Sequence, residues 1–503
     1  MEAIVKDFRE YLERQQMYDG VVSLIRFDAQ TGAPAGGALA RAKRAGFFAG
    51  ERFGMSTSKE MAGFLEKLEP HLGALKQEDP VTYAMYKKAK RDYERLSEVP
   101  VELVRNLAEA TGRAEDVWRK ARPANDFEMF APYLKQGIDL KKQILKYRKD
   151  KQGYEAFLDD YEQDFTIADA DEYFTKLKAS VVPLFKRVQS SRKEINTRCR
   201  EIFVDLETQR KLSDFIAKKL GYDMERGMIR ESAHPFCSAI GGQSDVRITT
   251  RYKQDDFMAS FFAVMHECGH AFYEMNKRED IAETILDRGH IGGVHESQSR
   301  FFENIVGRSP EFWEHITDEL KYILPSSFKK ISSLEFFEAA NKAEASLIRV
   351  EADELTYSLH ILLRYELEKL IFDDAAEFDV SKLPTLWNEK MEEYIGIVPP
   401  TDANGVLQDI HWSMASYGYF PTYSFGSALA SQFSAHMAKE LDVDVLIRRG
   451  DFSALGEWMR KNIQQHGLIY TRDELLDQAC GERLNVEHYI KYLESKFSKL
   501  YEL

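Results

Sequence analysis

Residues 258–275 read MASFFAVMHECGHAFYEM. Apolar residues recur with helical spacing and no proline interrupts them, so the stretch predicts a helix. Inside it, His266-Glu267-Cys268-Gly269-His270 forms an HExxH pattern. Residues four apart lie one turn apart on the same helix face, so two imidazoles can converge on one divalent ion at about 2.0–2.1 Å each. Glu267 is rotated about 100° from them and reaches a water beside such an ion rather than the ion itself. Gly269 costs roughly 1 kcal/mol against alanine in a helix interior, so its presence predicts that another segment packs closely there. Cys268 points off the metal face; it reads as a target for thiol reagents or mercurials, not as a ligand.

Outward from this stretch the same helical period continues. It is visible over 59–77, 81–97, 101–121, 132–149, 169–191 and 206–221, and again over 293–307, 335–371, 424–440 and 452–464. The chain has 503 residues, 44% of them apolar, and only 14 prolines. It carries no fixed-period repeat and no Gly/Ser or Pro linker, which predicts one contiguous, mainly α catalytic domain over residues 1–503. The exception is CSAIGGQSDVRITTRY, residues 237–252. Here Asp245, Arg247, Thr249 and Arg251 alternate with Val246, Ile248, Thr250 and Tyr252, a period of two that predicts a small antiparallel β-hairpin turned at Gly241-Gly242. Asp245, Arg247 and Thr249 then form the polar face of an edge strand to which a peptide substrate can add its backbone.

Lys and Arg number 69 against 83 Asp and Glu, a net charge of −14. That argues against a general nucleic-acid or anionic-membrane binder, either of which needs a basic surface. The four cysteines are scattered and form no CxxC pair, which suits a reducing, cytoplasmic compartment. The N-terminal MEAIVKDFREYLERQQ is a charged amphipathic helix and not a secretory signal. The longest apolar run, Phe257 to Met265, is too short to span a bilayer, so a soluble protein is expected.

A catalytic zinc takes three protein ligands and keeps one position open. Glu296 lies 296 − 270 = 26 residues beyond His270, in HESQSRFFENIV, and is the third ligand expected on a second helix. Glu283, Asp287 and His290 are alternatives. His290 sits in a Gly-rich loop and reads as shaping the approach to that helix, and His295 points elsewhere. An ion held by His266, His270 and Glu296 polarises a carbonyl and acidifies water, while Glu267 takes a proton and passes it to the leaving amine. The set suits amide hydrolysis. Acid should expel the metal by protonating a histidine. Cobalt or manganese can substitute for zinc, since ligand type alone does not choose.

With these residues in view, the chain resembles the carboxypeptidase Taq family of zinc metallocarboxypeptidases. The resemblance rests on ordered motifs: His234-Pro235-Phe236, Asp245-x-Arg247-x-Thr249, the HExxH of 266–270, and His295-Glu296-Ser297-Gln298. It continues through Ile348-Arg349-x-x-Ala352-Asp353 and Gly405-x-x-Gln408-Asp409-x-His411-Trp412. SLIRFDAQTGAP, residues 23–34, also matches, with Arg26 where the family has Trp. The resemblance covers essentially the whole chain. It implies a helical fold with two lobes around a deep cleft, an architecture shared with neurolysin and angiotensin-converting enzyme. It further implies one zinc, removal of single C-terminal residues with broad side-chain tolerance, and a homodimer.

Further site residues follow on that basis. Arg349 reads either as an i,i+4 partner of Asp353 or as the group that binds the substrate α-carboxylate, and the resemblance favours the second. His411 and Tyr423 are candidate donors to the developing oxyanion, with Tyr417 and Tyr419 as rivals to Tyr423. His234, extended before Pro235, is a substrate donor or a structural histidine. Arg247 is a substrate-side group, and Gln408 and Asp409 are candidates to support the zinc imidazoles. An endo-acting oligopeptidase shares this chemistry. An inactive helical scaffold is disfavoured because His266, Glu267, His270 and Glu296 are all intact.

Overall fold

The computed structural model describes residues 1–287, 291–372 and 377–503. These contain twenty-one α-helices and one three-stranded sheet, so the expectation of a mainly α chain holds. Many helix ends are set by local chemistry. Thr166 and Asp169 form a reciprocal cap at the start of Ile167–Ser190. Gly221 closes Leu206–Leu220 at φ 95°, a left-handed conformation that favours glycine. No described helix is long and apolar enough to cross a membrane.

The chain divides into two compact units, each assembled from three separate stretches. The first comprises Met1–Tyr93, Ile195–Ala340 and Leu429–Leu484; the second comprises Glu94–Glu194, Asn341–Ala428 and Asn485–Leu503. Each contains a helix buried on nearly all sides. In the first unit this is Phe257–Met275, where fifteen of nineteen residues are buried. In the second it is Tyr357–Ile371, with twelve of fifteen buried. Helix Phe257–Met275 has no exposed residue and helix Tyr357–Ile371 turns only Glu366, Lys369 and Leu370 outward, so Glu267 on one and His360, Arg364 and Glu368 on the other are held inside the protein.

The hairpin is present, and it is part of a larger sheet. β1 (Ile229–Glu231) runs parallel to β3 (Val246–Thr250), and β2 (Cys237–Ala239) runs antiparallel to it, in the order β1-β3-β2. β3 is therefore the central strand, not an edge, and a peptide cannot add to it. Thr249 is accordingly fully buried, its hydroxyl bonded to Ser232 Oγ and to Phe236 N at 2.8 and 2.9 Å. β1 was missed because its three residues are too few to show alternation.

Two predicted helices are interrupted. Over 59–77, Pro70 falls in a short 3-10 turn between Lys59–Leu68 and Leu72–Glu78. Over 335–371, helix Ser333–Asn341 ends and Tyr357–Ile371 begins after a loop. Asp353 organises that loop. Its carboxylate accepts from the backbone N–H groups of Glu344, Leu355 and Thr356 and from the Thr356 hydroxyl. Side-chain capture of backbone donors outweighs the helical period here.

Candidate metal centre

Helix Phe257–Met275 packs against helix Gly292–Arg300 in the first unit, and Gly269 makes the approach possible. A Cβ on residue 269 would lie 2.3 Å from the Gln298 carbonyl oxygen and 2.5 Å from Ser299 Cα. The helix-interior glycine thus marks a close contact, as its sequence position predicts. The approach brings Glu296 to the two imidazoles. Its Oε2 stands 3.7 Å from His266 Nε2 and 3.4 Å from His270 Nε2. Ligands about 2.0–2.2 Å from a tetrahedral zinc are separated by roughly these distances. The other carboxylate oxygen, Oε1, accepts from Arg300 Nε at 2.7 Å, so Oε2 is the one turned to the imidazoles. Burial alone would raise the Glu296 carboxyl, but Arg300 and the two imidazoles hold it well below the usual carboxylate range.

Glu267 is 5% exposed, and its Oε2 is buried with no hydrogen-bond partner among the described residues. An unpartnered carboxylate oxygen beside two imidazoles and a carboxylate is the pattern of a site that completes itself with a cation and water. Two neutral nitrogens and one anionic oxygen suit zinc, so the residues present fit the metal the resemblance implies. Burial pushes the Glu267 carboxyl up to about 7.

One supporting residue was not singled out in the sequence. Glu303 Oε2 lies 2.8 Å from His266 Nδ1 and fixes which ring nitrogen faces the cation. Glu303 is itself held by Arg300 at 3.3 Å and Arg308 at 3.1 Å. The signal was available: Glu303 stands two turns beyond Glu296 in HESQSRFFENIV. Gln408 and Asp409 were proposed for this support, but both are engaged otherwise, as described below.

The remaining predicted residues of the first unit are placed as follows. Arg247 pairs through two nitrogens with Asp245, at 2.7 and 2.6 Å, and lies 5.1 Å over the Phe27 ring. His234 is exposed on the loop between β1 and β2, where its carbonyl accepts from Ser232 Oγ. Glu283 and Asp287 are not in the ligand cluster. His290 lies outside the described residues. Cys268 is fully buried, and burial pushes its thiol far above the usual range, so thiol reagents have no reactive thiolate to attack.

The second unit holds a charged cluster. Arg349 does not pair with Asp353. Its Nε and Nη2 donate to Asp409 Oδ1 at 3.1 and 2.8 Å, and Nη1 donates to the Tyr357 hydroxyl at 3.0 Å. Arg364 Nε takes the other oxygen of Asp409 at 2.7 Å. Asp409 is thus the shared counter-ion of two buried guanidiniums. Burial opposes its charge, yet Arg349 and Arg364 hold its carboxyl well below the usual range. Gln408 accepts from Arg349 N at 2.8 Å and donates to the Leu347 carbonyl, which pins the loop that carries Arg349. His411 Nε2 is 3.4 Å from the Tyr423 hydroxyl, and the Arg349 guanidinium lies 5.0 Å over the Tyr423 ring. Tyr423 sits inside helix Phe420–Met437, which begins four residues before the predicted 424–440 stretch. Glu368 accepts from Trp412 Nε1, Gly418 N and the Tyr154 hydroxyl at 2.8, 2.8 and 3.0 Å, and so anchors the segment next to His411. Tyr417 is buried and Tyr419 stacks on His411 with ring centroids 5.6 Å apart.

Burial pushes His360 down to about 3 and His411 down to about 4, in the latter case against the pull of Asp409. Both folded-state values lie below the unfolded value of about 6.5, so the unfolded chain takes up these protons first as pH falls. Each group therefore contributes stability that is complete at neutral pH and is lost as pH falls from about 6.5 to about 3 for His360 and to about 4 for His411. The loss approaches ~1.4 kcal/mol per pH unit for each histidine. Melting temperatures of the metal-free protein from pH 7 to 4.5 should fall less steeply for His360→Gln than for the parent chain. Parallel curves would remove this account.

The whole chain has close relatives. It is 38% identical over 500 residues to carboxypeptidase 1 of Bacillus subtilis, covering 99% of each chain. It is 35% identical to thermostable carboxypeptidase 1 of Thermus thermophilus, again covering 99% of each. Among solved structures, it matches the M32 carboxypeptidase of Deinococcus radiodurans with a TM-score of 0.92 at 33% identity, over 100% of both chains. It matches Trypanosoma cruzi metallocarboxypeptidase 1 with a TM-score of 0.91 at 32% identity, over 99% of this chain and 100% of that one. The family model described as carboxypeptidase Taq (M32) metallopeptidase matches residues 7–497. From motif order, ligand geometry and full-length similarity together, the chain belongs to the carboxypeptidase Taq (M32) metallopeptidase family and is a metal-dependent hydrolase.

Proposed function

We propose that the protein is a zinc carboxypeptidase that removes single residues from peptide C-termini with broad side-chain tolerance. The observation that carries this reading is the convergence of His266 Nε2, His270 Nε2 and Glu296 Oε2 beside the unpartnered Oε2 of Glu267. When bound, a zinc ion supplies Lewis acidity toward a carbonyl and toward water. Glu267 then acts as general base. Its buried carboxylate takes the proton of the attacking water and delivers it to the departing amine, which leaves with the C-terminal residue. Arg300 and Glu303 hold the ligands in orientation throughout.

On the family resemblance, recognition of the terminus is proposed for Arg349. Of its five N–H donors, three are spent on Asp409 and Tyr357, which leaves two to grip a carboxylate. On the family resemblance, His411 and Tyr423 are proposed as donors to the oxygen that gains charge during attack, and burial keeps His411 neutral at physiological pH. His234 and Arg247 are proposed as further substrate contacts. Arg349→Ala should lower kcat/KM roughly 10²-fold, as expected for loss of charge-assisted hydrogen bonds, with metal content unchanged. Unaltered kcat/KM in that variant would withdraw the assignment.

The test of the function as a whole uses a peptide with a free C-terminal carboxylate beside its amidated twin. The free acid should shorten from its end one residue at a time, only with a divalent cation present, and the amide should resist. Equal internal cleavage of both would make the protein an oligopeptidase. All four cysteines are free, which agrees with the proposed cytoplasmic setting. A homodimer is the assembly we propose on the family resemblance, and sedimentation would test it.

A further inference from the structure

The two metal-binding imidazoles are supported differently. His266 is held through Nδ1 by Glu303. His270 Nδ1 is buried and has no hydrogen-bond partner among the described residues. A ligating histidine usually fixes its ring by donating its second nitrogen to a neighbour. For His270 that restraint is missing, and another contact takes its place. The His295 ring stacks on the His270 ring with centroids 4.3 Å apart and planes inclined by 22°. Helix Gly292–Arg300 thus meets the same imidazole twice, with Glu296 at its nitrogen edge and His295 on its face.

His295 is in turn well fixed. Its Nε2 lies 3.0 Å from Glu274 Oε1, and the Tyr273 ring meets it edge-on at 5.2 Å. Glu274 pairs with Lys277, an ammonium with no exposed side-chain surface. Lys277 also donates to the Asp287 carbonyl and lies 3.5 Å from Asp287 Oδ1. A charge that deeply buried persists only where its partners are fixed, so the chain from Asp287 through Lys277 and Glu274 makes a rigid mount for His295. Asp287 was weighed as a metal ligand from the sequence, and its observed place is at the base of this mount.

We propose that His295 is a positioning residue for the metal centre, its ring face holding the His270 imidazole in the orientation that binds a divalent cation. The inference rests on the reading of His266, His270 and Glu296 as ligands. A planar face is the operative feature, so a ring that keeps the stack should keep the function.

The test measures Zn2+ affinity of the full-length protein by competition with a chromogenic chelator. His295→Ala should weaken affinity about 10-fold or more, the usual effect of losing a group that orients a ligand. His295→Phe, which retains a stacking face, should stay within about threefold of the parent chain. At saturating Zn2+ both variants should recover the parent kcat and KM, because neither loses a group that touches substrate; a general disturbance of the fold would leave kcat low. Should the alanine variant fail to fold, His295→Leu provides the same comparison, a filled space without a flat face. The proposal is overturned if His295→Ala or His295→Leu binds Zn2+ within twofold of the parent, or if His295→Phe is as weak as they are. His266→Ala serves as the reference. If it too binds Zn2+ normally, the ligand assignment itself is wrong; if it alone loses binding, only the role of His295 falls.

Discussion

Replacing Gly269 by alanine is expected to lower the melting temperature sharply and to leave a protein that holds no divalent cation. In an ordinary helix interior this change stabilises by up to about 1 kcal/mol, because alanine is the better helix former. Here sterics decide the sign. The new methyl would lie 2.3 Å from the Gln298 carbonyl oxygen, 2.5 Å from Ser299 Cα and 2.6 Å from the Gln298 carbonyl carbon. All three are backbone atoms of the neighbouring helix and cannot swing aside as a side-chain tip would. Relief requires the two helices to separate, at a cost of about 1–3 kcal/mol or more. Glu296 is carried on the displaced helix, so its Oε2 would leave the positions 3.4 and 3.7 Å from the imidazoles. Metal analysis and a thermal melt of Gly269→Ala check both parts. A variant that melts with the parent and carries a full complement of metal would contradict the packing described.

Glu267→Gln is expected to be the largest purely chemical loss. A general base contributes about 10²–10⁴-fold, and here it also carries the proton to the leaving group, so kcat should drop by roughly 10³-fold or more. Metal content should stay at the parent level, since Glu267 is not one of the three converging ligands. The fold should tolerate the change as well. Glutamine has the same shape, and the carboxylate oxygen it replaces has no hydrogen-bond partner to lose. Single-turnover hydrolysis of a free-acid peptide by metal-loaded protein is the suitable measurement. Retained activity within tenfold would move the base elsewhere.

Much of the metal centre can be read from the chain itself, because its geometry is local. HExxH puts two imidazoles on one face by helix periodicity alone, and Glu296 is the acidic residue on the next helix that meets them. The role of Gly269 was legible for a similar reason: a poor helix former in a buried helix signals a contact. What escaped depends on how elements meet. His295 was expected to point away because it neighbours Glu296 on a helix, yet the close approach at Gly269 lets one helix present both residues to the same ring. Arg349 and Asp353 have i,i+4 spacing in the sequence, but the predicted 335–371 helix is broken there and Arg349 pairs with Asp409 instead. The burial of Cys268 and the central place of β3 depend on neighbours far away in the chain.

The first unit draws its final stretch from residues 429–484, long after the ligands at 266, 270 and 296 have been made. At about 5–20 residues per second, a ribosome needs roughly 10–40 s to travel from the end of the HExxH helix to the end of that stretch. Throughout this interval one of the most apolar helices in the chain waits without its complete surroundings. Transiently exposed apolar surface is aggregation-prone, so a chain truncated near position 430 is expected to aggregate under conditions that keep the full-length chain in solution.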